Sequence, residues 1–109
     1  MVIVPHRGDV VWLDFEPQLG REIKKRRPAV TLSPHKYNTK TKLAIFAPIT
    51  SQIKGYPFEI AINHEKITGA ILCDQVRSMD FESRNVTKIF TLDKKTIDSV
   101  LSKLILLLE

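Results

Sequence analysis

The sequence predicts a mainly β protein, a small barrel or strongly curved sheet that carries an amphipathic helix at its C-terminus. Short apolar runs rich in β-branched residues recur between residues 10 and 90 and are separated by Gly, Pro and Asn, as in strands joined by turns. The final segment instead repeats its apolar residues at helical spacing. The chain has 109 residues, of which 43% are hydrophobic and 27% are charged, so we expect a single domain over residues 1–109.

Seven apolar runs are the predicted strands. In the first of them, Val11, Leu13 and Phe15 fall on one face and Asp14 falls on the other. So many short strands in so small a chain favour a barrel or a strongly curved sheet. The predicted strands are Val10–Phe15, Ala29–Leu32, Leu43–Ile49, Phe58–Ile62, Ala70–Cys73, Val76–Met79 and Val86–Phe90.

The segment that follows Asp93 is the predicted helix. The Asp93 carboxylate suits the first turn, because it can accept a backbone N–H there and complements the positive end of the helix dipole. Leu106 and Leu107 fall off the main apolar stripe and widen the apolar face, which fits either extra core burial or a dimer contact. The predicted core stripe consists of Ile97, Val100, Leu101, Leu104, Ile105 and Leu108.

Several classes of protein are excluded by residue types and spacing. The N-terminal residues lack the apolar run of a signal peptide and the chain lacks a membrane span, so we expect a cytoplasmic protein without a membrane partner. Cys73 is the only cysteine, and its apolar neighbours predict a buried packing thiol. His6, His35 and His64 lack metal-ligand spacing and are predicted to be surface or loop residues. No cofactor or metal site is predicted.

The positive charge of the chain is concentrated in its first half. Residues 1–55 contain ten Lys and Arg against four Asp and Glu, whereas residues 56–109 contain seven against eight. Five of the basic residues lie in Gln18–Arg27, which has little periodicity and is predicted to be a long charged loop between the first two strands. This distribution suggests a polyanionic partner, such as a nucleic acid or an acidic polypeptide.

Polar side chains gather where predicted strands begin or end. Arg27 precedes Pro28, which favours an extended backbone at the start of the second strand. In a small barrel such strand ends can converge on one rim and form a shared site, although ordinary turn chemistry would also account for these residue types. The other residues at such positions are Thr50, Ser51, Gln52, Asp74, Gln75, Arg77 and Ser78.

Six short motifs follow one another along the chain: Gly8–Phe15, Arg27–Val30 followed by Leu32–Pro34, Tyr37–Asn38, Pro48–Ser51, Lys54–Glu59 and Asp74–Ser78. In this order they resemble the MazF/PemK family of ribonuclease toxins, and the resemblance extends from about Gly8 to the C-terminal helix. It implies an SH3-like barrel of the CcdB/PemK type with helices, a homodimer, and cleavage of RNA without a metal. It also implies a MazE-like antitoxin, whose disordered acidic tail neutralises the toxin.

The resemblance also implies roles for individual residues. Arg27 matches the catalytic arginine of the family, Thr50 matches its catalytic threonine, and Glu22 occupies the place of a loop carboxylate. Asp74, Gln75 and Ser78 match the segment that shapes the RNA groove. Basic residues are expected to follow the phosphates and polar residues to read the bases. The residues predicted to bind RNA are Lys24, Lys25, Arg26, Ser51, Gln52, Asp74, Gln75, Arg77 and Ser78.

The resemblance implies sequence-specific cleavage of single-stranded RNA, with mRNA as the expected target, and the residue types fit this chemistry. Attack by the neighbouring 2′-hydroxyl needs alignment, a base, an acid and stabilisation of the charged phosphorane, and it leaves 2′,3′-cyclic phosphate and 5′-hydroxyl ends. The planar Arg27 guanidinium suits phosphoryl oxygens, and Thr50 can donate one further hydrogen bond. Glu22 is the best candidate for the base.

Two other functions fit a barrel of this kind. One is a toxin that poisons DNA gyrase, as CcdB does; those toxins use a tryptophan near the C-terminus, whereas the only tryptophan here is Trp12. The other is a barrel that binds RNA or DNA without cutting it, with Arg27 and Thr50 holding phosphate. Incubation with single-stranded RNA in EDTA separates the three functions.

Overall fold

The computed structural model describes residues 3–15 and 26–109, and this part of the chain forms seven strands and two helices. All seven predicted strands are present, with ends shifted by a few residues at most. The helix α1 was not predicted, because its only buried residue is the polar Asn38 and so it has no apolar stripe. The elements are β1 (Asp9–Asp14), β2 (Arg26–Thr31), α1 (His35–Thr41), β3 (Leu43–Thr50), β4 (Glu59–Asn63), β5 (Thr68–Leu72), β6 (Arg77–Asp80), β7 (Thr87–Thr91) and α2 (Lys94–Leu108).

The strands form one antiparallel sheet in the order β4-β5-β3-β2-β1-β7. β3 pairs with two strands along the same edge: the first half of β3 pairs with β6, and the last residues of β3 pair with β5. This division lets the sheet curl into a half-barrel whose inner surface is filled by side chains. The predicted mainly β architecture with a C-terminal helix is therefore confirmed.

The curled sheet buries apolar side chains on both of its faces. Val10 packs in one cluster with Ile49, Ile71 and residues of α2, whereas its neighbour Val11 packs in a second cluster with Phe46. The alternation along β1 accounts for this division, because successive side chains point to opposite faces of a strand. Because both faces of β1 are buried, β1 is held firmly in place. It pairs with β2, the strand in which the predicted site begins.

The start of α2 is confirmed as predicted. The Asp93 carboxylate accepts the Thr96 N–H at 3.2 Å and the Thr96 hydroxyl at 2.7 Å. The Thr96 hydroxyl and backbone N–H both favour the ionised form and lower the pKa of Asp93. Neither helix in the described part of the chain has the length and apolar character needed to span a membrane.

The apolar stripe of α2 reaches the core only in its first three turns. Val100 is fully buried, and Ile97, Leu101 and Leu104 pack against the core cluster. The prediction that Ile105 and Leu108 belong to the core stripe was wrong, because both side chains are exposed and neither packs against the core cluster. The exposed apolar residues at this end are Ile105, Leu106, Leu107 and Leu108.

Candidate active site

An open groove with a cavity volume of about 630 Å³ lies where β2 begins and β3 ends. Antiparallel pairing brings these ends together: Ala29 pairs with Pro48, so Arg27, two residues earlier, and Thr50, two residues later, share one face of the sheet. The groove thus unites four of the predicted site residues. Its lining consists of Trp12, Arg27, Pro28, Ile49, Thr50, Ser51, Gln52, Lys66, Ile67 and Thr68.

The two neighbouring arginines of β2 have opposite surroundings. Arg26 donates hydrogen bonds to Asp14 Oδ1 at 3.2 Å, to the Asn85 carbonyl at 2.7 Å and to Thr87 Oγ1 at 2.8 Å. The guanidinium of Arg27 makes no hydrogen bond or ion pair within the described residues. The structure therefore brings Arg27 to the groove and does not bring Arg26 there, because successive side chains of a strand point to opposite faces.

The hydroxyl of Thr50 is oriented by the backbone that follows it. Gln52 N–H donates to Thr50 Oγ1 at 3.1 Å, which occupies one lone pair and leaves the hydroxyl proton available to a ligand. Thr50 is half-buried at the end of β3, so its side chain borders the groove without being fully solvated. This arrangement suits a hydrogen bond to a phosphoryl oxygen.

Gly69 of β5 makes the position of Thr50 possible. A Cβ atom at Gly69 would lie 2.2 Å from the Thr50 carbonyl oxygen and 3.1 Å from its carbonyl carbon. Both of these are backbone atoms, so no rotation of a flexible side chain relieves the clash. The sequence analysis missed Gly69, because its role depends on the close approach of two strands that are distant in sequence.

Two smaller grooves adjoin the main one and share residues with it. Arg27 also borders a cavity of about 210 Å³ with Gln75 and Arg77, and Thr50 borders one of about 180 Å³ with Asp74 and Gln75. The guanidinium of Arg77 lies 5.8 Å from the centre of the Phe15 ring, an arrangement that holds its charge at the surface. The β5–β6 segment therefore joins the same surface, as the sequence predicts.

Other predicted residues are not brought to these grooves. Ser78 is exposed on β6, where it pairs with Ile45, and it lines none of the three cavities. Glu22, Lys24 and Lys25 lie outside the described residues. The predicted roles of these four residues stay predictions.

The loop between β3 and β4 is held beside the site by a carboxylate. Glu59 accepts the Lys54 N–H at 3.2 Å and the Gly55 N–H at 2.9 Å, and Gly55 has a φ of +80°, which favours glycine. Tyr56 in this loop is 49% exposed and stacks on Phe58 with 5.1 Å between ring centres. The loop thus presents an aromatic ring to the small cavity that it shares with Thr50.

Trp12 and Lys66 are groove residues that the sequence analysis did not select. The alternation of β1 holds a usable signal for Trp12, since Val11 and Leu13 are buried and the large ring between them is 36% exposed. No sequence pattern points to Lys66, which enters the groove from the turn between β4 and β5. An exposed indole in a groove that two cationic side chains also line is suited to stacking a base.

Cys73 and the histidines do not supply a reactive centre. Burial raises the pKa of the Cys73 thiol to about 11, which confirms a packing role, because the thiolate is scarce at neutral pH. His6 stacks on His35 at 3.8 Å between ring centres, and His64 stacks on Phe90 at 3.6 Å. Within the described ranges, no group of three or more His, Cys, Asp or Glu side chains could hold a metal ion.

The curled half-barrel carries in an open groove an oriented hydroxyl and an arginine that has no partner among the described residues, and this combination suits a phosphodiester. The chain belongs to the family described as the PemK-like, MazF-like toxins of type II toxin–antitoxin systems, which it matches over residues 6–108.

Relatives and solved structures agree with this assignment. The chain is 41% identical to the endoribonuclease toxin MazF of Escherichia coli K12 over 101 residues, which cover 93% of this chain and 91% of that protein. It is 31% identical to the endoribonuclease EndoA of Bacillus subtilis over 90% of this chain and 89% of that protein. A MazE–MazF crystal structure from Deinococcus radiodurans superposes with a TM-score of 0.90 at 42% identity and covers 98% of this chain and 97% of that chain.

Proposed function

We propose that this toxin is an endoribonuclease and that the groove holding Arg27 and Thr50 is its active site, where single-stranded RNA is cut at specific sequences without a metal. The observation that carries the proposal is the contrast between two adjacent arginines. The Arg26 guanidinium donates hydrogen bonds to three protein acceptors. The Arg27 guanidinium has no protein acceptor in the described part of the chain, and it lines the same groove as the oriented Thr50 hydroxyl. Such a group is available to a phosphate.

The proposed reaction is attack by the 2′-hydroxyl on the adjacent phosphorus. The O2′–P bond forms, the P–O5′ bond breaks, the 2′ proton passes to a base, and the leaving O5′ receives a proton, giving 2′,3′-cyclic phosphate and 5′-hydroxyl ends. Arg27 stabilises the charge that develops on the phosphoryl oxygens. Arg27 is assigned to charge stabilisation and not to proton transfer, because a guanidinium does not release its protons in proteins. Thr50 donates a further hydrogen bond and holds the phosphate in line.

The base and the binding residues complete the proposal. None of the described residues that line the main groove carries a carboxylate or an imidazole, and Glu22 stays the proposed base on the family resemblance. Trp12 and Tyr56 offer rings on which unpaired bases stack, which favours single strands. Ser51, Gln52, Asp74 and Gln75 are proposed to read base edges, and Arg77, with Lys24 and Lys25, to follow phosphates. We propose mRNA as the cellular target.

Purified protein incubated with mixed-sequence single-stranded RNA in EDTA is expected to cut it at a small set of sequences. The 3′ ends should carry cyclic phosphate, because the reaction uses the 2′-hydroxyl. A matched substrate with 2′-deoxyribose at one cut position should stay intact at that position only. Retention of RNA without cleavage would support a binding barrel, and inhibition of gyrase without any action on RNA would support a gyrase poison.

The proposed partner is a MazE-like antitoxin with a disordered acidic tail. Solved structures of relatives from Deinococcus radiodurans are MazE–MazF complexes, and the cations of the groove, which have no ion pair among the described residues, suit carboxylates as well as phosphates. Such a tail orders on contact and excludes RNA by occupying its site. We expect a tail peptide and an uncuttable 2′-deoxy analogue to compete in fluorescence anisotropy, each raising the apparent Kd of the other. Simultaneous binding at undiminished affinity would rule out inhibition by occupancy.

We also propose that residues 1–109 act as one toxin domain, that it forms a homodimer, and that it works in the cytoplasm. The family match spans residues 6–108, which supports the single domain. The exposed apolar end of α2, residues 105–108, supports a contact between copies, since clustered apolar side chains are costly in water. The cytoplasm is where an mRNA-cutting toxin meets its substrate.

A further inference from the structure

Lys66 is a cation in the main groove that the proposed reaction does not use. It is exposed at the turn between β4 and β5, and it lines the same cavity as Arg27 and Thr50. Its ammonium makes no ion pair or hydrogen bond within the described residues. Lys66 and Arg27 are the cationic side chains among the described residues that line this groove.

The turn that carries Lys66 is fixed by its neighbours. His64 N–H donates to the Ile67 carbonyl at 2.9 Å, and Ile67 N–H donates back to the His64 carbonyl at 3.2 Å. Lys66 N–H donates to His64 Nδ1 at 3.0 Å, and the imidazole stacks on Phe90 of β7 with 3.6 Å between ring centres and 4° between planes. The backbone at Lys66 is therefore positioned, while its side chain is free to follow a ligand.

The two cations differ in how they can contact a phosphate. The planar Arg27 guanidinium offers two parallel donors to the oxygens of one phosphoryl group. Lysine is a compact, hydrated point charge on a flexible stem, which contacts a phosphate without fixing its orientation. Both line one open cavity of about 630 Å³, which has room for more than one phosphate of a strand.

We propose that Lys66 binds a non-scissile phosphodiester adjacent to the one that is cut, and so extends the RNA footprint across the groove to the β4–β5 turn. The inference rests on the proposed function of Arg27 and Thr50. Its ligand is the RNA backbone, so Lys66 contributes affinity and register for every base sequence and leaves the reacting atoms to Arg27 and Thr50.

The test measures binding of an RNA that carries 2′-deoxyribose at the cut position, over a range of salt concentrations. Lys66→Met keeps the side-chain length and removes the charge, and Lys66→Arg restores the charge. Lys40→Met, on the exposed face of α1 away from the groove, is the matched control. We expect Lys66→Met to make the negative slope of log K against log salt shallower by about 0.7, which is about fivefold weaker binding at 0.1 M salt. The arginine variant and the control should keep the native slope.

Two further measurements separate the inference from the function on which it rests. In cleavage of the cuttable RNA, Lys66→Met should raise KM and leave kcat unchanged, which is the signature of uniform binding. A neutral methylphosphonate at one flanking linkage should weaken binding to the wild type and add no further loss in Lys66→Met. If the wild type cuts RNA and Lys66→Met keeps the native salt slope, or if only antitoxin binding weakens, the inference is overturned. If the wild type cuts no RNA, the proposed function itself fails.

Discussion

Arg27→Ala is expected to lower kcat for RNA cleavage by about 10²–10³ while the protein stays folded. Removal of one preorganised donor to developing charge costs about this much in other enzymes, and the Arg27 guanidinium has no partner in the described protein whose loss would destabilise the fold. The measurement is single-turnover cleavage of a defined RNA by protein whose circular dichroism and thermal unfolding match the wild type. Near-native turnover would remove Arg27 from the active site.

The adjacent Arg26 provides the matched comparison. Arg26→Ala removes the ion pair to Asp14, whose side chain is only 9% exposed, together with the hydrogen bonds to Asn85 and Thr87. We therefore expect a loss of about 1–3 kcal/mol in the free energy of unfolding, which lowers Tm by several degrees. A stability loss confined to Arg26→Ala, with Arg27→Ala retaining the native Tm, would show that these side chains have different roles.

The strands were predictable because each is encoded locally. β-Branched runs broken by turn residues predicted all seven, and the Asp93 cap predicted the start of α2. Helix α1 was missed because a polar network replaces the apolar stripe: Asn38 donates to the Pro5 carbonyl at 2.9 Å and accepts from the Ser33 hydroxyl at 2.5 Å. Polar contacts of this kind leave no periodicity in the sequence.

The site was predictable to the extent that strand ends and family motifs reveal it. Arg27, Thr50 and Gln75 were selected from strand ends and matched motifs, and they border cavities that share lining residues. The sequence predicted RNA contacts for Arg26 as well as for Arg27, because the direction of each side chain depends on the pairing register of β2. It gave no sign of Lys66 or Gly69, whose relation to Thr50 arises only when β5 and the turn before it pack against the end of β3.

Thr50→Val should lower kcat by about 10² with a smaller change in KM, because the lost hydroxyl acts chiefly on the transition state. Gly69→Ala should also lower kcat, since its Cβ displaces the Thr50 carbonyl that would otherwise lie 2.2 Å away. If Gly69 acts only through Thr50, the double variant should be no slower than Thr50→Val alone, a complete failure of additivity in the cycle.

Gly8→Ala is the matched glycine control for this cycle. Gly8 has a φ of +96°, and an added Cβ would meet the Ile97 side chain of α2; neither of these residues lines the groove. It should lower the free energy of unfolding by about 1–2 kcal/mol through backbone strain and leave the kcat of the folded protein unchanged. If Gly69→Ala likewise lowered only stability, or if its loss of kcat added fully to that of Thr50→Val, Gly69 would be a packing residue without influence on the catalytic hydroxyl. We expect Gly69→Ala to lower kcat at unchanged KM and non-additively with Thr50→Val, and we expect Gly8→Ala to show no such loss. The reason is that β5 fixes the Thr50 backbone at the point where the Thr50 hydroxyl meets the phosphate.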